Sequence, residues 1–318
     1  MNKMSIDFGN CMLLAVGDNE RKFKCESLYN AKVIAANSRN TVEVDGKAVQ
    51  FGNGTHDLSS IDKLSRPYIK EQILLSAYNI FGECNKDEYH YIQLALGCPL
   101  EFYRNNKEDI AKFETYLKTQ SPIVGKVEGR EVNVQLVSVK VMAEGFSTVV
   151  PLTPYFKEGQ HVIIDVGLKT TDIAVVNVEN GKVKGLVQSE TINIALEQLY
   201  RKLIDNVKKY TGINDLSISE VDTLLKTSET IKRGRKGRAD LLYILNNELQ
   251  DTALELMNEI SNRIGEFTHK HTFFIGGGSE KYIAALNDKA IDWTFNSIEI
   301  PQETAYFANA VGFLNLIK

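Results

Sequence analysis

Cysteine is scarce and scattered: Cys11, Cys25, Cys84 and Cys98 are the four in 318 residues, with no C-x-x-C pair and no histidine at ligand spacing beside them. That pattern argues against a disulfide framework or a zinc site and makes reduced, buried thiols the expectation. No window reaches the roughly 18 consecutive apolar residues of a membrane span. The opening MNKMSIDFGN reaches an aspartate at position 7, where a signal peptide would carry an apolar run. A soluble, cytoplasmic protein with no membrane partner is therefore expected. Positive charge is not in excess: 37 Lys and Arg face 41 Asp and Glu, a formal net charge of −4. No global basic field draws such a chain to nucleic acid or anionic lipid. The five histidines show no metal spacing, and the one tryptophan, Trp293, reads as packing.

What is present is an ordinary globular composition, 43% hydrophobic and 25% charged, enough for one large or two medium domains with their own cores. A short strand runs into Asp7-Phe8-Gly9-Asn10, and CMLLAV reads as a second strand. Thr41–Val44 and Ala48–Phe51 flank Asp45-Gly46, a hairpin signal. RPYIKEQILLSAYNIF (Arg66–Phe81) has apolar residues at helical spacing and stops before Gly82. A strand (YIQLALGCP), a helix (NKEDIAKFETYLKTQ) and a β-type run over Val132–Met142 follow, then the Pro- and Gly-containing PLTPYFKEGQ, which reads as a junction. Beyond it come the strands of HVIIDVGLKTTDIAVV. Helices are expected over Ile194–Tyr210, Ser217–Thr227 and much of Leu241–Ile264, then a buried strand His271–Ile275 and a last helix in AYFANAVGFLNLIK. Strands mixed with helices throughout favour a mixed-sheet α/β organisation.

One internal echo stands out. SIDFGNCMLLAV and IIDVGLKTTDIAVV share the plan strand–Asp–x–Gly–turn–strand, about half a chain apart. A Gly-containing turn between strands exposes backbone N–H groups to an anion. Lys169, Thr170 and Thr171 add charge and hydroxyl donors to the second turn. Two aspartates with phosphate oxygens would make a hard-oxygen site suited to Mg²⁺ held through waters. Two plain hairpins with aspartates at turn positions would look the same. Gly276-Gly277-Gly278-Ser279, after the buried strand FFI, would let the backbone lie flat against a base or ribose, or simply connect a strand to a helix.

Taken together, DFGN, IIDVGLKTTD and FFIGGGSEKY resemble the phosphate-one, phosphate-two and adenosine motifs of the actin/heat-shock-chaperone/sugar-kinase ATPase superfamily, in that order and across almost the whole chain. LGCPLEFY resembles its first interdomain segment and PQETAYFANAVGFL its second connecting helix. VKVMAEGFSTVVPL and the run FGNGTHDLSSIDKLSRPYIKEQILLSAY resemble plasmid-segregating actins of the ParM type. The resemblance implies a bilobal α/β fold, a duplicated RNase H-like architecture with a nucleotide cleft between two domains. These would be residues 1–152 with 304–318, and residues 160–303. It implies that Asp7 and Asp165 organise Mg²⁺. Gly9, Asn10, Gly167, Lys169, Thr170 and Thr171 would hold phosphates of ATP or GTP, with Asp172 closing the second motif. Gly276, Gly277, Gly278 and Ser279 would line the nucleoside, and Glu144 would position the attacking water, since phosphoryl transfer needs in-line placement and charge neutralisation more than a covalent nucleophile. The function implied is slow hydrolysis coupled to a self-assembled filament that moves plasmid DNA through a DNA-binding adaptor protein.

The sequence also departs from that pattern. The first phosphate loop, Asn10-Cys11-Met12-Leu13-Leu14, lacks the Ser/Thr and Lys that many relatives carry, and TINIALEQL lacks their glycines. The dense basic run Lys232–Arg238 reads as a solvated loop or nucleotide-edge contact, with a filament or DNA contact as the other reading. Two rival functions share the same motifs: a small-molecule kinase, which needs a substrate constellation not visible here, and a scaffold that binds nucleotide without turnover.

Overall fold

The structure is a computed structural model that describes residues 1–10, 12–31, 38–52, 56–57, 66–85, 87–211, 216, 218, 238–267, 269–286 and 296–317. Cys11, Trp293, the basic run except Arg238, and nearly all of the helix expected over 217–227 lie outside the described residues.

In chain order the first half contains β1 (Asn2–Phe8), β2 (Met12–Gly17), β3 (Lys22–Glu26), β4 (Leu28–Asn30), β5 (Thr41–Val44), β6 (Lys47–Phe51), β7 (His56–Asp57), α1 (Ile69–Phe81), β8 (His90–Cys98), α2 (Leu100–Asn105), α3 (Lys107–Thr119), β9 (Ile123–Val127) and β10 (Arg130–Ala143). A 3-10 turn (Phe146–Thr148), α4 (Val149–Leu152) and a second 3-10 turn form the junction. The second half contains β11 (Gly159–Val166), β12 (Thr171–Glu179), β13 (Lys182–Ile192), α5 (Leu196–Thr211), α6 (Arg238–Ile264), β14 (His271–Ile275), α7 (Ser279–Leu286), β15 (Asn296–Ser297) and the last helix, α8 (Gln302–Leu316).

Among the described residues the strands form two sheets, ordered β3-β2-β1-β8-β10-β9-β5-β6-β4-β7 and β13-β12-β11-β14-β15. The smaller sheet repeats the first five strands of the larger one pairing for pairing. In each, three strands form an antiparallel meander (β1-β2-β3, β11-β12-β13), and the first of them is followed on its other side by two parallel neighbours (β8 and β10, β14 and β15). The sequence echo is thus a duplication of a whole mixed five-stranded unit. In both copies the Asp-x-Gly turn joins the first two strands of the meander.

Local chemistry explains the elements. β11 and β12 are buried along most of their length, which requires near-continuous Val, Ile and Ala where a half-exposed strand would alternate. Helix α3 buries Ile110, Phe113 and Leu117, one face of a 3.6-residue period. Asp45 and Gly46 take φ of 50° and 72°, as the predicted two-residue hairpin demands. Helix α1 begins at Ile69 rather than at Arg66. Pro67 and a left-handed Tyr68, φ 62°, precede it, and Arg66 is drawn elsewhere.

Apolar cores lie under each sheet: α1 and α3 against the larger, α5 and α6 against the smaller. A third cluster joins the halves, with Ile163, Ala174, Phe273 and Ile275 of the smaller sheet packed with Leu100, Leu152, Ala305 and Ala308. Helix α8 also packs Phe307 and Ala310 with Leu14 and Val16, and Phe313 with Ala95. It touches both sheets, so it is apolar on most of its circumference. At the other end of β11, His161 is buried and stacks on His271, with ring centroids 5.0 Å apart, and on Phe273, while its Nε2 meets Lys157 O at 2.7 Å. Burial lowers its pKa below the ordinary histidine value.

Candidate functional site

The turn between β11 and β12 is closed by a Gly167 N–H to Thr170 O bond of 3.0 Å. Below it, Asp165 and Asp172 are register partners across the ladder, and both are buried. Thr191 Oγ1 donates to Asp172 Oδ1 at 2.5 Å. Thr171 is fully buried and its hydroxyl donates to Ile194 O at 2.7 Å, so that proton is committed to the fold. Gly167, Lys169 and Thr170 are half-buried at the tip of the turn. The start of α5 is tied to the same turn, with Glu197 N–H donating to Leu168 O at 2.7 Å.

The glycine triplet wraps the end of β11. Gly276 has φ +83°, and a Cβ there would lie under 3.0 Å from Asp165 Oδ1 and 2.7 Å from Val166 O. Gly278 donates its N–H to Val166 O at 2.9 Å, and a Cβ on it would stand 2.7 Å from Val166 Cγ1. Gly277 differs: its nearest neighbour would be Tyr306 Oη at 3.9 Å. Two of the three glycines are therefore required by packing and the third faces open space. Ser279 Oγ closes the turn onto Gly276 O at 2.8 Å.

The first hairpin is built differently. Asp7 sits buried at the end of β1, opposite Leu14. Gly9 O accepts from Ser27 Oγ at 2.7 Å and from Arg66 Nη1 at 3.1 Å, and Arg66 Nη2 donates to Asn10 Oδ1. Arg66 is only 5% exposed. The loop that lacks a lysine in sequence thus holds a buried guanidinium brought from 57 residues away. Periodicity places Arg66 in the helix that the structure starts at Ile69, and nothing local in the sequence marks it.

Glu144 follows β10. Its N–H donates to Cys98 O at 2.9 Å, and a Cβ on Gly97 would lie 2.9 Å from its Oε1. The next residue, Gly145, has φ +69°, and its Cβ position is 3.7 Å from Asp172 Cβ. The turn leaving the larger sheet therefore rests against the β11–β12 hairpin of the smaller. Asn309 of α8 joins them: Oδ1 accepts from Gly145 N–H at 2.9 Å, and Nδ2 donates to Asp165 Oδ2 at 2.6 Å. Glu144, Asp165, Asp172 and Gly276 are thereby brought to one place. Gly9 and Asn10 are held by Arg66, and the strand that carries Asp7 meets the same helix through Ser5 Oγ donating to Ala310 O at 2.6 Å.

Family models match both halves. "Actin like proteins N terminal domain" covers residues 5–146, and "Archaeal actin homologue MreB-like, C-terminal" covers residues 163–288. This chain is an actin-like protein. Between the matched segments lies the junction, and beyond the second lies α8. Solved structures similar to this actin-like chain include a pCBH ParM, a non-polymerisable quadruple mutant, with TM-score 0.78 and 17% identity over 99% of this chain and 98% of that one. The archaeal actin homologue Ta0583 in complex with ADP has TM-score 0.74 and 17% identity over 99% and 98%. A 15-stranded ParM filament from Clostridium botulinum has TM-score 0.74 and 16% identity over the same shares. At such identities the likeness establishes the actin-like fold. No curated protein matches the chain in sequence. No helix among the described residues is long and apolar enough to cross a membrane.

Proposed function

We propose that this actin-like chain binds ATP or GTP with Mg²⁺ between two domains, residues 1–152 with 304–318 and residues 160–303, and hydrolyses it slowly as a timer for a cytoplasmic filament of its own copies. The observation that carries this reading is the duplicated unit. Each copy carries a buried aspartate one residue before the end of its first strand, followed by a Gly turn, and the glycine triplet folds directly against the second aspartate.

The donor set fits the cofactor. Asp7 and Asp165 offer hard oxygens at equivalent strand ends. An ion that keeps most of its waters needs only a few such protein oxygens. Mg²⁺, when bound, supplies charge neutralisation at the phosphates. The chain's own residues supply the rest. Gly9, Asn10, Gly167, Lys169 and Thr170 hold the phosphates, and Arg66 adds fixed positive charge beneath the first turn. Thr171 and Asp172 brace the second turn from inside, through Ile194 and Thr191. Gly277 is the open member of the triplet that can lie against a nucleoside, with Gly276, Gly278 and Ser279 shaping its path. Glu144 orients the attacking water, which a carboxylate does without being strongly basic.

One related structure is a 15-stranded ParM filament, which supports self-assembly, and the net charge of −4 suits a filament that grips plasmid DNA through a separate DNA-binding adaptor. Light scattering with electron microscopy after adding ATP or GTP and Mg²⁺ tests the reading: nucleotide-dependent polymer is expected, and its absence over a wide protein range overturns the function. Glu144→Ala should lower phosphate release toward background while polymer still forms. Release equal to the parent's would remove Glu144 from the chemistry.

A further inference from the structure

Helix α8 buries Ala305, Phe307, Ala308, Asn309, Ala310, Gly312 and Phe313. Asn309 is the polar member of that apolar set, and burial of an amide is tolerated only when both of its ends are used. Here both are. The carbonyl oxygen accepts from Gly145 N–H, and the NH₂ donates to Asp165 Oδ2. This pair of partners fixes the orientation of the amide, because the flipped form would set donor against donor and a carbonyl against a carboxylate. Asp keeps only the acceptor role and Leu keeps neither.

We infer that Asn309 is a positioning residue that sets the Asp165 carboxylate and the Glu144–Gly145 turn in one fixed relation. With Oδ2 held by Asn309, Asp165 keeps Oδ1 turned toward Gly276, where the triplet leaves no room for a Cβ. The same side chain holds the amide that immediately follows Glu144. Its two partners belong to different sheets, Gly145 after β10 and Asp165 in β11. The helix carrying it is registered independently. Ser5 Oγ donates to Ala310 O at 2.6 Å, and Gly276 N–H donates to Ala305 O at 3.1 Å. Gly312 passes so close to Ser147 that a Cβ there would lie under 3.0 Å from its carbonyl oxygen. Both hydrogen bonds of the Asn309 amide go to Gly145 and Asp165, so it acts through the groups it orients.

The inference rests on the proposed nucleotide reading and adds a claim about which step Asn309 governs. Loss of a side chain that orients a metal-side carboxylate costs about 10- to 100-fold in metal affinity. In the full-length chain, Asn309→Ala should raise the Mg²⁺ concentration for half-maximal binding of fluorescently labelled ADP or GDP by about that factor, while binding in EDTA changes less than about 2-fold. A merely structural role would weaken binding equally with and without Mg²⁺. Should Asn309→Ala fail to fold, Asn309→Ser, which leaves room for a water, is put through the same titration. A folded variant with a Mg²⁺ midpoint within about 2-fold of the parent, or with equal losses in EDTA and Mg²⁺, overturns the inference and leaves the nucleotide reading intact. A parent that binds neither nucleotide in Mg²⁺ overturns that reading, and this inference with it.

Discussion

Replacing Gly276 with alanine should destabilise the protein far more than the same change one residue later. Gly276 has φ +83°, and its Cβ would enter a space already held by Asp165 Oδ1 and by Val166 O, 2.7 Å away. An L-residue held at positive φ costs about 1–3 kcal/mol, and overpacking a core position costs about 1–3 kcal/mol more. Neither neighbour can yield cheaply. Val166 O belongs to the central strand of the smaller sheet and already accepts from Gly278 N–H, and Asp165 can turn away only by leaving Asn309. The two contributions together give roughly 2–6 kcal/mol. At Gly277 the nearest atom is 3.9 Å away and no positive φ applies, so alanine should stay within about 0.5 kcal/mol, as for an unconstrained surface site. Urea unfolding of both variants, at equal m-values, measures the difference. If Gly276→Ala lies within about 0.5 kcal/mol of the parent, or if Gly277→Ala costs as much as Gly276→Ala, the packing argument is wrong.

Three other outcomes follow from the same structure. Arg66→Ala should cost roughly 1.5–3 kcal/mol in urea unfolding, the range for hydrogen bonds to a charged group, and should weaken nucleotide binding. Arg66→Lys should recover less than half of either loss, because one ammonium cannot reach Gly9 O and Asn10 Oδ1 in the geometry of a planar fork. Burial depresses the folded pKa of His161 below its ordinary value of 6.5, so below that pH the unfolded chain takes up a proton that the folded chain resists. Stability should therefore be full above about pH 6.5 and fall as pH drops toward the folded pKa, and unfolding midpoints of the parent and His161→Phe at pH 5, 6 and 7 should show a flatter profile for the variant. Cys25, whose thiol burial and the neighbouring Glu26 push up to about 12, should resist alkylation at pH 8 in the native protein and react fully once unfolded. Native labelling by mass spectrometry at the rate of a free thiol would contradict that.

The strands and the second hairpin were legible because their signals are local. Asp165 and Asp172 stand at equal distances from the centre of their turn, so a tight hairpin must pair them. The continuous apolar residues of HVIIDV and DIAVV announce strands covered on both faces. The echo between SIDFG and IIDVG read through to a duplicated five-stranded unit because each copy begins with the same meander. Arg66 was not legible. Its periodicity fits a helix, and only the left-handed Tyr68 and the distant acceptors on Gly9 and Asn10 draw it away. Thr171 reads as an exposed phosphate donor until Ile194 O, 23 residues on, takes its proton. Asn309 left a trace that could have been followed: a lone amide in the apolar run of AYFANAVGFL breaks the local rule, and such breaks concentrate where function or uniqueness demands them.

The placement of α8 has a consequence for biosynthesis. It leaves the ribosome after every other element described, yet it carries the amide that joins Gly145 to Asp165 and the carbonyls that receive Ser5 and Gly276. Both sheets can pair their strands while translation continues, but the hydrogen bonds that α8 makes to each half wait until that helix emerges. A nascent chain stalled before residue 302 would lack the amide that ties Gly145 to Asp165.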